Sequence, residues 1–84
     1  MKNKIKSSTV STSLGEKTII LNIDSGKYYE LNITSSLLWS MFEKGKSEDE
    51  IIKKIASTYE INATQAAESL KKFTDLCKQF GFLD

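Results

Sequence analysis

The chain has 84 residues with no His, no Arg, no Pro and one Cys, and 12 Lys against 11 Asp and Glu give it a formal net charge of +1. That length fits one domain with a modest core, and 39% hydrophobic with 27% charged residues is the balance of a folded globular chain. Near-neutrality argues against a domain that lives on phosphate contacts, and a lone thiol with no His supplies neither an activated nucleophile nor a zinc set.

In chain order, residues 1–7 are expected to form a flexible N-terminus. Lys2, Lys4 and Lys6 read there as a solvated basic cluster. Neither a signal-peptide h-region nor an apolar run of membrane-spanning length is present, so the expected compartment is the cytoplasm. Residues 8–84 read as a single domain. Ser8 to Ser13 has β-branched but little apolar content and is expected as an edge strand, turned back by Leu14-Gly15. Thr18-Ile19-Ile20-Leu21-Asn22-Ile23 is a stronger strand, and Asp24-Ser25-Gly26 supplies turn chemistry before Lys27-Tyr28-Tyr29-Glu30-Leu31 resumes strand character. By period two, Tyr29 and Leu31 are expected inward and Tyr28 on the outer surface.

The second half reads as three helices. Asn32 or Thr34 caps the first, where Ile33, Leu37, Leu38, Met41 and Phe42 recur at three-to-four spacing and Gly45 suits the left-handed terminus. Ser47 with Glu50 forms a capping box for the second, whose buried set is expected to be Ile51, Ile52, Ile55, Ala56 and Tyr59. Asn62 with Gln65 repeats that logic for the longest helix, Ala63 to Phe80, about 27 Å at 1.5 Å per residue. Its stripe is Ala66, Leu70, Phe73, Cys77 and Phe80, widened by Ala67, Thr74 and Leu76, and Gly81 ends it before Phe82-Leu83 folds back. Trp39 and Cys77 both fall on apolar helix faces and read as core residues. The predicted fold class is α+β and winged helix-turn-helix-like, a three-stranded antiparallel sheet followed by three helices.

From Thr18 to Leu83 the sequence resembles the PqqD-like proteins, the recognition elements for precursors of ribosomally made, post-translationally modified peptides. The resemblance rests on Asp24-Ser25-Gly26, Tyr28-Tyr29-Glu30-Leu31-Asn32 and Leu38-Trp39, then Gly45 before the capping box, Ile51, Ile55, Phe73 and Gly81-Phe82-Leu83. It implies a non-catalytic protein without cofactor or metal that binds the leader segment of a precursor peptide and presents it to maturation enzymes. The Asp-Ser-Gly-Lys-Tyr-Tyr hairpin looks most like the standalone versions of lasso-peptide biosynthesis, where the partners are a leader protease and a macrolactam-forming cyclase. The alternative implied by the family is a peptide chaperone for a radical SAM maturase.

In such proteins the leader adds as a strand to the third strand and lies against the third helix. The implied peptide-binding residues are therefore Lys27, Tyr28, Tyr29, Glu30 and Leu31 on the strand, with Ala66, Ala67, Leu70, Lys71, Phe73, Thr74 and Cys77 on the helix. The physical basis is independent of the resemblance, because an edge strand offers unpaired N–H and C=O groups to an extended peptide while pockets read alternate side chains. A winged-helix DNA-binding regulator is the rival, and the absence of Arg argues against it. No nucleic-acid or membrane partner is expected.

Overall fold

A computed structural model describes residues 4–83; Met1, Lys2, Asn3 and Asp84, and with them the outermost lysine of the basic cluster, lie outside the described residues. The elements are β1 (Thr9–Leu14), β2 (Lys17–Asn22), β3 (Tyr28–Leu31), α1 (Ile33–Glu43), α2 (Glu48–Tyr59) and α3 (Ala63–Gln79). The strands form one antiparallel sheet in the order β1-β2-β3. This is the expected α+β arrangement of three strands followed by three helices.

Each connection has a local cause. Between β1 and β2 the loop is Gly15-Glu16, and Gly15 at φ +66 supplies the positive φ that a two-residue hairpin of type II′ needs at its first position. Between β2 and β3 the organiser is Asn22. Its side-chain oxygen accepts from the Asp24 and Ser25 N–H groups at 3.0 and 3.3 Å, and its Nδ2 donates to the Gly81 carbonyl at 3.0 Å. One buried amide thus shapes the hairpin turn and ties it to the segment after α3.

The helices start and stop where side chains satisfy their free backbone groups. Asn32 caps α1 through Ser35 N–H, and the expected capping boxes Ser47/Glu50 and Asn62/Gln65 are both formed. After α1 the Lys46 N–H reaches the Met41 carbonyl and the Gly45 N–H that of Phe42, a Schellman ending built on a left-handed glycine. Phe82 to Cys77 and Gly81 to Lys78 repeat it after α3 and fold Phe82 and Leu83 into the core. By contrast, α2 ends on Glu60 at φ +53, a left-handed cap without glycine.

The core gathers Ile20 and Leu31 from the sheet, Leu38, Trp39, Met41 and Phe42 from α1, Ile51 and Ile55 from α2, and Ala66, Leu70, Phe73 and Cys77 from α3, closed by Phe82 and Leu83. Three expectations need correction. Ile33 is exposed, because as the first residue of α1 it precedes the turn that meets the sheet, and Tyr59 at the end of α2 is exposed for the corresponding reason. The ordered structure also begins before Ser8: Ile5 bridges to Leu83, and the Lys6 N–H donates to the Phe82 carbonyl at 3.1 Å.

Candidate functional site

Among the described residues β3 pairs only with β2, so its other side is a free edge. The register fixes which backbone groups point there. Asn22 N–H donates to Lys27 C=O at 2.8 Å, which makes Asn22 and Lys27 a hydrogen-bonded pair in the frame that also sets Ile20 opposite Tyr29 and Thr18 opposite Leu31. Hydrogen-bonded and non-bonded pairs alternate along an antiparallel ladder. The Lys27 carbonyl and the backbone groups of Tyr29 and Leu31 are therefore directed toward β2, while the Lys27 N–H turns to the Ser25 hydroxyl and Tyr28 and Glu30 direct their groups outward. The edge offers the N–H and C=O of these two residues.

Side chains alternate in the same rhythm. Thr18, Ile20 and Asn22 of β2 are buried, so their opposites Leu31, Tyr29 and Lys27 share the helix-covered face. Leu31 is 1% exposed, whereas Tyr29 remains 36% exposed. The expectation that Tyr29 is an inward core residue is thus corrected: it points to the inner face but stands on the outermost strand, beyond the cover of the helices. Its ring stacks on Phe80, centroids 5.5 Å apart and 28° between planes. Tyr28, 73% exposed, lies on the outer face with Glu30.

A groove follows β3 on its helix side in two stretches that share Tyr29. One, of about 290 Å³, is lined by Tyr29, Asn32, Leu38, Ser69, Lys72, Phe73 and Leu76, with Thr34 and Ser35 from the first turn of α1. The other, of similar volume, is lined by Gly26, Lys27, Tyr28, Tyr29, Phe80 and Phe82. Leu38 and Phe73 form a firm floor, since Leu38 is 2% exposed and Phe73 stacks on Phe42 at 5.7 Å.

The helix wall of this groove differs from the one expected. Each residue turns about 100° around a helix, so the stripe Ala66, Leu70 and Cys77 has two flanks. Ala66 and Cys77 are fully buried and offer no surface, and Leu70 is 4% exposed. Ala67, Leu70, Lys71 and Thr74 line a separate depression against α2, with Glu48, Ile52, Asp75 and Lys78. The flank toward β3 carries Ser69, Lys72, Phe73, Leu76 and Phe80, so of the helix residues expected to bind only Phe73 belongs to this wall. The large apolar side chains at Phe73, Leu76 and Phe80 were a readable signal that this flank meets an aromatic strand.

Cys77 carries no chemistry here. Burial among apolar side chains pushes its thiol up from 9.0 to about 12, which leaves it protonated near neutrality. Among the described residues no three His, Cys, Asp or Glu side chains are gathered as metal ligands, and no helix is long and apolar enough to cross a membrane.

Two solved structures share the whole arrangement. The structure described as "TbiB1 in Complex with the TbiA(beta) Leader Peptide" superposes with a TM-score of 0.93 at 26% identity, over 96% of this chain and 94% of that one. The one described as "Lasso peptide synthetase B1 complexed with the leader peptide" gives 0.92 at 20% identity, over 100% and 99%, a likeness of fold. A search of curated proteins finds no significant sequence match. The profile of the family described as "Coenzyme PQQ synthesis protein D (PqqD)" matches residues 17–83, so it spans β2 through the segment after α3, and the chain belongs to the PqqD family.

Proposed function

We propose that this protein binds the leader segment of a ribosomally made precursor peptide in lasso-peptide biosynthesis and presents it to a leader protease and a cyclase. The observation that carries the reading is the free β3 edge, with the outward backbone groups of Tyr28 and Glu30 set beside an apolar groove of strand length. Family membership and the leader-peptide complexes of the similar structures support it. The leader lies along β3 as a fourth strand, one row of its side chains directed into the groove over Tyr29, Phe73, Leu76 and Phe80. It gains main-chain hydrogen bonds from the edge and burial from the groove, and no reaction at this protein is required.

The test is calorimetric titration with a synthetic leader of the precursor encoded beside this gene. Micromolar or tighter binding is expected, on the order of −8 kcal/mol. No heat and no anisotropy change at several hundred micromolar leader would refute the reading.

A further inference from the structure

The charge around the groove is one-sided. Its two stretches are lined by Lys72 and Lys27 and by no Asp or Glu. The depression on the other flank of α3 is balanced instead, with Glu48 and Asp75 beside Lys71 and Lys78. Among the described residues the ion pairs are Lys71 with Asp75, at 2.9 Å, and Lys46 with Glu50, so neither Lys27 nor Lys72 is neutralised by a neighbour. Glu68, one helical turn before Lys72, is not within ion-pair distance of it. In a chain of net charge +1, the charged residues that line the groove are thus of one sign and unpaired. Around Lys72 the polar lining consists of donors and hydroxyls: Ser69, Thr34, Ser35 and Asn32.

Resting on the leader-binding reading, we infer that the groove selects an acidic leader: an Asp or Glu side chain of the bound peptide pairs with Lys72 at the α1 end, while Lys27 at the hairpin end adds to the attraction. Apolar burial holds the peptide, and the carboxylate fixes its position along β3. A strand bound through backbone groups alone can slip by two residues at little cost, whereas a charge seated at one end disfavours the slipped register. An exposed or half-exposed pair of this kind changes affinity by roughly three- to five-fold and weakens as salt screens it.

The experiment is a double-mutant cycle with the synthetic leader encoded beside the gene and a series in which each Asp or Glu is replaced in turn by Asn or Gln. Lys72→Gln is expected to weaken the wild-type leader about three- to five-fold at low salt, with the difference shrinking at high salt. One amide variant should lose the same factor against the wild-type protein and lose nothing further against Lys72→Gln. Lys71→Gln, on the other flank and paired with Asp75, should bind as wild type. If the wild-type leader binds while Lys72→Gln and every amide variant retain full affinity, or if their losses simply add, the acidic-leader inference falls and the leader-binding reading stands. If the leader does not bind the wild-type protein at all, both fall.

Discussion

At the scale of single residues, Cys77 separates a packing role from a chemical one. The sequence already placed it on an apolar stripe without a base, and the structure buries it completely. Its raised value has a consequence for stability: the unfolded chain releases the thiol proton near pH 9.0, the folded chain only near 12. Between these values the unfolded state binds fewer protons, so the contribution of Cys77 is intact below pH 9 and declines as pH rises, by at most about 1.4 kcal/mol per pH unit. Denaturation of wild type and Cys77→Ala at pH 8 and pH 10.5 should show the wild type losing more stability across that interval. Equal losses would mean that the thiol is not desolvated. Cys77→Ala should still bind the leader, because the groove does not reach Sγ. Tyr29 is the opposite case, a residue whose direction could be read and whose exposure could not. Alternation assigns a face, but only the place of a strand within its sheet decides whether that face is covered.

At the scale of elements, β3 and α3 were legible to different degrees. Each strand was placed to within one residue, and the hairpin and the capping boxes of α2 and α3 followed from local chemistry, because Gly26, Ser47 and Asn62 act within a few residues of themselves. The cap of α1 was left between Asn32 and Thr34, and the role of Asn22 in the turn was not read. The outer wall of the groove did not follow. A helix sequence reveals its buried stripe, whereas the flank that meets β3 depends on how the chain passes from sheet to helices, which is a property of long-range packing. The ladder now makes a sharp prediction for the strand. Proline removes a backbone donor, and at Tyr28 or Glu30 that donor faces the free edge where the leader is proposed to add, while at Tyr29 it faces Ile20. Tyr28→Pro and Glu30→Pro should keep a native circular dichroism spectrum and lose leader binding by ten-fold or more, since about 1.4 kcal/mol is ten-fold and a hydrogen bond and its local geometry are lost together. Tyr29→Pro should lower stability by about 2 kcal/mol, and Tyr28→Ala should be milder for binding than Tyr28→Pro. Folded Tyr28→Pro and Glu30→Pro proteins that bind as wild type would rule out strand addition at this edge.

For the molecule as a whole, the two ends of the described chain are joined, and that was hidden from a sequence reading. Ile5 stands alone between Lys4 and Lys6, which locally looks like a solvated terminus. In the fold it packs against the core and bridges to Leu83, Lys6 N–H donates to Phe82 C=O at 3.1 Å, and the Thr9 hydroxyl donates to the same carbonyl at 3.3 Å. Phe82 also lines the groove beside Lys27 and Tyr29, and Gly81 just before it accepts from Asn22. The N-terminal segment thereby braces the hairpin end of the site from behind. Deleting residues 1–4 should leave this brace in place, whereas deleting residues 1–7 removes a half-buried Ile and two backbone hydrogen bonds, Lys6 N–H to Phe82 C=O and Thr9 N–H to Lys6 C=O. That loss amounts to about 2 kcal/mol, or a fall in Tm of roughly 8–16 °C for a domain of this size. The longer deletion should also weaken leader binding, through looser placement of Phe82 and of the Phe80 ring that stacks on Tyr29. Ile5→Ser in the full-length chain should reproduce most of the stability loss with every backbone group retained, which separates side-chain packing from the bridge. Melting curves of the two deletions and the point variant decide the matter: identical Tm values for the 1–7 deletion and the wild type would show that the first strand of contacts contributes nothing to the fold or to the site.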